Sequence, residues 1–254
     1  MGVEYQKGLD GVAWVTLNRP EVLNALDSGT KQELACIWTD VASDDSVRAV
    51  VLSGNGPKAF CAGSDMKEMD QAGQTVTTDL LVRSLPGAQT ALDKPVIAAL
   101  HGYCIGMGLT LALHCDLRLA DQGTVLGFPE VRHGMISGVS AVRLPQMVPT
   151  CRALELLLLG KTISAQEAER FGLINRVVEG NVREEAGRWA QILACHSPVA
   201  VRATKRLAQL GLQRQLEDEQ SEIDQARVQV EKSEDFKEGT RAFVEHRVPS
   251  FIGR

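Results

Sequence analysis

Apolar and polar positions follow two different periods along this chain. Val12 to Leu17 is a run of apolar and β-favouring residues that reads as a strand, closed by the turn-prone Asn18-Arg19-Pro20, where proline fixes φ and ends the ladder. Beyond it, Asp27 or Ser28 can cap a helix in which Leu34, Ile37, Trp38 and Val41 recur at i, i+3, i+4 and i+7. Arg48 to Ser53 and Val96 to Leu100 are short apolar stretches between turn residues, the pattern of strands buried on both faces, and Cys115 to Ala120 is a weaker third. Downstream the period becomes helical. Ala186, Trp189, Ala190 and Leu193 mark one face, Gln213 to Val230 and Phe236 to Arg247 read as further helices, and Leu173 to Val178 is one interrupting strand. The pattern predicts an α/β core followed by helices, with no internal repeat and no sustained heptads.

Composition narrows the function classes. The 254 residues are 44% apolar and 23% charged, an ordinary globular balance with enough chain for a sizeable core. The net charge of -5 and the lack of a basic block argue against nucleic acid as a partner. No apolar run approaches the roughly 20 residues that span a bilayer, and Met1 to Asp10 has neither a secretory nor a transit pattern, so no membrane role and a cytoplasmic location are expected. Cys36, Cys61, Cys104, Cys115, Cys151 and Cys195 are spread singly, without C-x-x-C pairs or zinc-like histidine spacing. They predict reduced thiols acting as small buried hydrophobes, and no metal.

Two loops carry candidate chemistry. Gly54 to Lys67 follows a buried strand; Ala62, Gly63 and Ser64 are small enough for a ligand to approach the backbone, and Asp65 favours a helix start just beyond. Alone, that segment could equally be a turn. His101 to Thr110 runs from a strand into a helix, and Gly106 and Gly108 flank Met107, leaving its N–H at a helix start with little steric cover. That arrangement suits an oxyanion hole. A phosphate site is the other use of such a turn, but neither the full G-x-G-x-x-G nor G-K-[ST] is present.

Several ordered motifs together resemble the enoyl-CoA hydratase/isomerase, or crotonase, family. They are Asn18-Arg19-Pro20 with Leu23-Asn24-Ala25-Leu26, Ala59 to Asp65, Gly102 to Asp116, Gly127-Phe128-Pro129-Glu130, and Ala165 to Ala168 with Gly172-Leu173-Ile174 and Val177-Val178. The resemblance implies a spiral of ββα units over residues 1–195 and a C-terminal helical trimerisation region over 196–254, assembled as a homotrimer or a dimer of trimers. It implies an acyl-CoA substrate, with coenzyme A as part of that substrate and no separate cofactor. In motif register, the amides of Ser64 and Met107 hold the thioester oxygen as negative charge develops. The adenine and pantetheine are placed beside Arg19, Leu23, Ala25, Ala62, Asp65 and Met66.

The two-glutamate hydratases of that family imply a carboxylate at two positions, and this chain has one. Glu130 occupies the second, where burial would raise its pKa toward a working range for proton transfer; the first is Thr110, whose hydroxyl orients but does not replace a carboxylate. A single base suits isomerisation of a 3-enoyl to a 2-enoyl thioester, one-glutamate hydration or hydratase-lyase chemistry, and a catalytically silent acyl-CoA-binding protein is the alternative of a different class. His114 and His133 match no catalytic position of the family. Phe236, Thr240, Phe243 and Arg247 are expected on one face of a tail helix that packs near the acyl-CoA.

Overall fold

A computed structural model describes residues 1–73, 77–208, 224, 228 and 230–250. Its strands are β1 (Val3–Lys7), β2 (Val12–Leu17), β3 (Ala49–Gly54), β4 (Ala59–Cys61), β5 (Val96–Leu100), β6 (Tyr103–Ile105), β7 (Leu117–Asp121), β8 (Val125–Gly127), β9 (Thr162–Ser164) and β10 (Arg176–Val178). The helices are α1 (Ser28–Ser43), α2 (Met66–Ala72), α3 (Thr78–Arg83), α4 (Met107–Leu113), α5 (Gly138–Arg143), α6 (Thr150–Leu159), α7 (Ala165–Arg170), α8 (Val182–Cys195), α9 (described over residues 198–208) and α10 (Glu234–Val244). Among the described residues no helix is long and apolar enough to cross a membrane, and no group of three or more His, Cys, Asp or Glu side chains is placed to hold a metal ion.

Two sheets share one logic. The larger runs β1-β2-β3-β5-β7-β10 and the smaller β4-β6-β8-β9. Each successive pair, β3 then β4, β5 then β6, β7 then β8, puts its first strand in the large sheet and its second in the small one, in the same order and with parallel neighbours. A helix or 3-10 turn follows each pair, which is the ββα spiral.

The large sheet is covered on both faces, which is why its strands are continuously apolar. Successive residues of β3 point to opposite layers: Val50 and Leu52 join a core with Leu34, Trp38 and Val41 of α1, while Ala49 and Val51 meet Ala186, Ala190 and Ala194 of α8. Small residues on α8 let it lie close to the sheet; a Cβ at Gly187 would stand 3.0 Å from the Trp14 ring.

Several expectations are corrected. β7 starts at Leu117 rather than Cys115, because Asp116 turns back to accept the Val96 N–H at 2.8 Å. Only Arg176–Val178 of the Leu173 to Val178 stretch is strand; Leu173 and Ile174 are buried in the turn after α7. Cys61, Cys104 and Cys115 are buried thiols, but Cys36, Cys151 and Cys195 are exposed. Helix α10 ends at Val244, so Arg247 is not on its face; its guanidinium instead pairs with Glu238 and Glu245. The helix expected over Gln213 to Val230 lies outside the described residues except at 224, 228 and 230, which are helical.

The loop after β2 is held by a residue whose role the sequence did not reveal. Leu23 and Asn24 both adopt positive φ, 57° and 56°, where asparagine is tolerated and leucine is uncommon. Asn24 is buried; its Oδ1 accepts the Arg19 N–H at 2.9 Å, and its Nδ2 donates to the carbonyls of Asn55 (2.9 Å) and Ala59 (2.8 Å). It therefore ties the Arg19 to Leu26 loop to the turn between β3 and β4. Asn24→Ala orphans these partners and is expected to lower the unfolding free energy by about 2 kcal/mol or more. Urea unfolding checks this; an unchanged midpoint would show that the three bonds do not hold the loop.

Candidate active site

The two glycine-containing loops converge on one cavity of about 330 Å³. On the first side, β4 ends at Cys61 and the chain passes through Ala62, Gly63 and Ser64 to Asp65, whose carboxylate caps α2 by accepting the Lys67 N–H at 3.2 Å and the Glu68 N–H at 3.4 Å. Leu26 pairs with this segment: its N–H donates to Gly63 O (2.8 Å) and its carbonyl accepts the Asp65 N–H (3.0 Å). A trans peptide points its C=O and N–H in opposite directions. With Gly63 O turned toward Leu26, the N–H of Ser64 faces the other way, and among the described residues it has no hydrogen-bond partner.

On the second side, Gly106 begins α4 with φ 56° and ψ -123°, a conformation that favours glycine, and no side chain caps the helix. The Met107 N–H, first in the helix, is likewise without a partner among the described residues. Glycines bring the halves together. A Cβ on Gly108 would overlap the Cys61 carbonyl and stand 2.7 Å from Cys61 Cβ, so α4 sits directly on β4 only because residue 108 has no side chain; a Cβ on Gly63 would be 3.7 Å from Met107 N.

Glu130 opens the 3-10 turn Glu130–His133 after β8 and Pro129. Its Oε1 lies 3.0 Å from where a Gly106 Cβ would be, and its Oε2 is buried without a hydrogen-bond partner. Burial pushes the carboxyl pKa up, against the opposing effect of hydrogen bonds from the Ser137 hydroxyl and its own backbone. Thr110 is buried one turn into α4; its hydroxyl donates to Gly106 O (3.1 Å) and shares a 2.6 Å hydrogen bond with Ser140.

Ser64, Met107, Thr110 and Glu130 all line the cavity, as do Ala62 and Met66. Arg19, Leu23, Ala25 and Asp65 do not line it; the first three lie on the loop after β2 and Asp65 caps α2. The Arg19 guanidinium donates to Ala25 O (2.7 Å) and pairs with Asp27 (3.0 Å) and Asp65 (3.1 Å), and Leu23 O accepts the Ala62 N–H (3.0 Å). His114 is buried away from the cavity, where desolvation, with Arg143 and Arg118 nearby, pushes its pKa down to about 3.

His133 does line the cavity, stacked edge-on against Phe243 of α10 at 5.2 Å. Helix α10 reaches this position because Gly239 lies against the His133 carbonyl, where any Cβ would overlap it. Phe236 and Phe243 thereby become walls of the cavity. His133 matches no catalytic position of the family, and its only sequence signal was its position three residues after Glu130.

The whole chain has relatives. The family model described as enoyl-CoA hydratase/isomerase matches residues 7–254. The chain is 39% identical over 245 residues to (E)-benzylidenesuccinyl-CoA hydratase of Thauera aromatica, covering 95% of this chain and 96% of that protein. It is 35% identical over 240 residues to the short-chain-enoyl-CoA hydratase of Clostridium acetobutylicum, covering 93% and 92%. The fold is similar to the crystal structure of carnitinyl-CoA hydratase from Mycobacterium avium, with a TM-score of 0.87 at 34% identity and coverage of 100% and 99%.

The contact of α4 with β4 yields a test. Gly108→Ala forces the Met107 amide away from Ser64 and is expected to lower turnover of an enoyl-CoA by about 100-fold or more, the scale of a displacement near 1 Å. Gly123→Ala, whose Cβ would meet only Asp121 Oδ1 at 3.7 Å, serves as the control. Steady-state rates for both variants, with circular dichroism to confirm folding, decide it; equal rates would refute the role of this contact.

Proposed function

The chain belongs to the enoyl-CoA hydratase/isomerase family and acts on an acyl-CoA, and from that premise we propose that it hydrates a 2-enoyl-CoA with Glu130 as its single acid/base. The observation that carries this reading is the meeting of two unpartnered backbone N–H groups and one buried carboxyl in a single cavity. The thioester oxygen accepts hydrogen bonds from Ser64 and Met107. Ionised Glu130 takes a proton from water as the water oxygen bonds to C3, the electron pair of the C2–C3 bond moves onto the thioester as an enolate, and Glu130 then returns the proton to C2. Water is consumed and Glu130 ends ionised, so the cycle closes.

Hydration is favoured over isomerisation by the hydroxyls around the carboxyl: Ser137 lines the cavity with Glu130, and Thr110 and Ser140 lie hydrogen-bonded to each other beside it. They suit a bound water. The names of the hydratases similar to this chain favour the same reading. Coenzyme A would cross the loop of Arg19, Leu23 and Ala25 beside Asp65 and pass Ala62 and Met66 into the cavity. Leu154, Leu158 and Leu159 leave an exposed apolar face on α6, which supports assembly into a homotrimer or a dimer of trimers.

Two outcomes test the assignment. In deuterated water, wild-type protein given 2-enoyl-CoA is expected to yield 3-hydroxyacyl-CoA labelled at C2, and Glu130→Gln to lose turnover by about 100-fold or more; intact turnover would remove Glu130 as the base. Because burial raises the folded-state pKa, the carboxylate weakens the fold above the unfolded pKa, so Glu130→Gln is expected to melt no lower than wild type at pH 7.

The pH profile follows from the same shift. The reaction starts from the ionised carboxylate, so kcat/KM is expected to fall on acidification through a pKa above the ordinary 4.5. Initial rates from pH 4 to 8, with stability followed in parallel, locate that limb; a midpoint at or below the ordinary value would contradict a desolvated base.

A further inference from the structure

Lys31 occupies a position where α1 calls for an apolar side chain. With Leu34, Ala35 and Trp38 it falls at i, i+3, i+4 and i+7 on the buried face, and it is 1% exposed. It also lines the cavity. Its Nζ donates to the Leu26 carbonyl at 2.5 Å, and among the described residues no carboxylate is in ion-pair contact with it. The nearby acids are engaged elsewhere: Asp27 and Asp65 pair with Arg19, and Glu68 accepts from the N–H and hydroxyl of Ser28.

A buried ammonium is costly, and the Leu26 carbonyl does not require it, since that oxygen already accepts the Asp65 N–H. Leu26 is also the residue whose N–H holds Gly63 O and so turns the Ser64 N–H toward the cavity. We propose that Lys31 is a positioning residue of the oxyanion hole, holding Leu26 in place and setting a fixed positive charge behind the Ser64 amide, where enolate charge develops. The inference rests on the reading of Ser64 and Met107 as the thioester-oxygen donors. Desolvation lowers the lysine pKa on balance, and Glu68, Cys61, Asp27 and Asp65 oppose that effect, the acids doing so without neutralising the ammonium by contact. A charge held in a dry site acts on the developing enolate more than on the uncharged bound thioester, which places its effect in kcat rather than in KM.

Lys31→Met keeps the length and suits the apolar face. Two readouts are compared with wild type: kcat and KM for a 2-enoyl-CoA, and the absorbance red shift of cinnamoyl-CoA recorded immediately on mixing, which reports polarisation of the thioester carbonyl before hydration removes the chromophore. Lys31→Met is expected to lower kcat about tenfold, less than loss of a donor itself, with KM nearly unchanged and a smaller red shift. Wild-type kcat and red shift in this variant, or a change confined to KM, would overturn the role of Lys31. No red shift in wild type would overturn the oxyanion-hole reading instead. If Lys31→Met does not fold, Lys31→Gln, which keeps a donor but no charge, is put through the same two measurements with the same expected losses.

Discussion

The site depends on one hydrogen bond, from the Leu26 N–H to the Gly63 carbonyl at 2.8 Å. Because the peptide between Gly63 and Ser64 is planar and trans, fixing its oxygen fixes the direction of its N–H. Much of the first 65 residues keeps that bond in place. Asn24 ties the Leu26 loop to the β3–β4 turn, Arg19 joins Asp27 to Asp65 across it, and Lys31 holds the Leu26 carbonyl. The Met107 amide is set by shape instead: Gly106 takes a conformation that favours glycine, and Gly108 lets α4 rest on Cys61. In the proposed reaction backbone groups, not side chains, thus face the thioester oxygen, and the surrounding residues aim them.

How much of this was legible in the sequence follows from the length of each signal. β5 matches the expected Val96 to Leu100, and α1 starts under the Asp27 cap, because runs of five or more residues carry a period and a cap carries its own chemistry. β4, β6, β8 and β9 have three residues each, too few to display alternation, so the smaller sheet and the spiral came only from the resemblance. The exposed Cys36, Cys151 and Cys195 follow from which face of a helix each occupies, and residue type says little about that. Ser64, Met107, Thr110 and Glu130, which line the cavity, were named from the sequence because loop motifs bracket them. His133 was set aside and Lys31 was missed because tertiary packing alone turns them toward the cavity.

Thr110 can be understood from its bonds. Its hydroxyl has one proton, and directing that proton to Gly106 O makes Ser140 the donor in the 2.6 Å pair. Gly106 O also accepts the Thr110 N–H at 2.9 Å, so residue 110 braces the first turn of α4 from two atoms and thereby the amide of Met107. A bracing hydroxyl cannot also be an acid or base near neutral pH. In the proposed hydration, proton transfer falls to Glu130, whose Oε2 is buried without a partner, an arrangement that weakens the fold when ionised but leaves the oxygen ready to accept a proton. The burial that raises the carboxyl pKa is the same burial that makes it a poorer structural residue, and the close packing of α1 and α8 on the large sheet supplies the stability that lets this local cost persist.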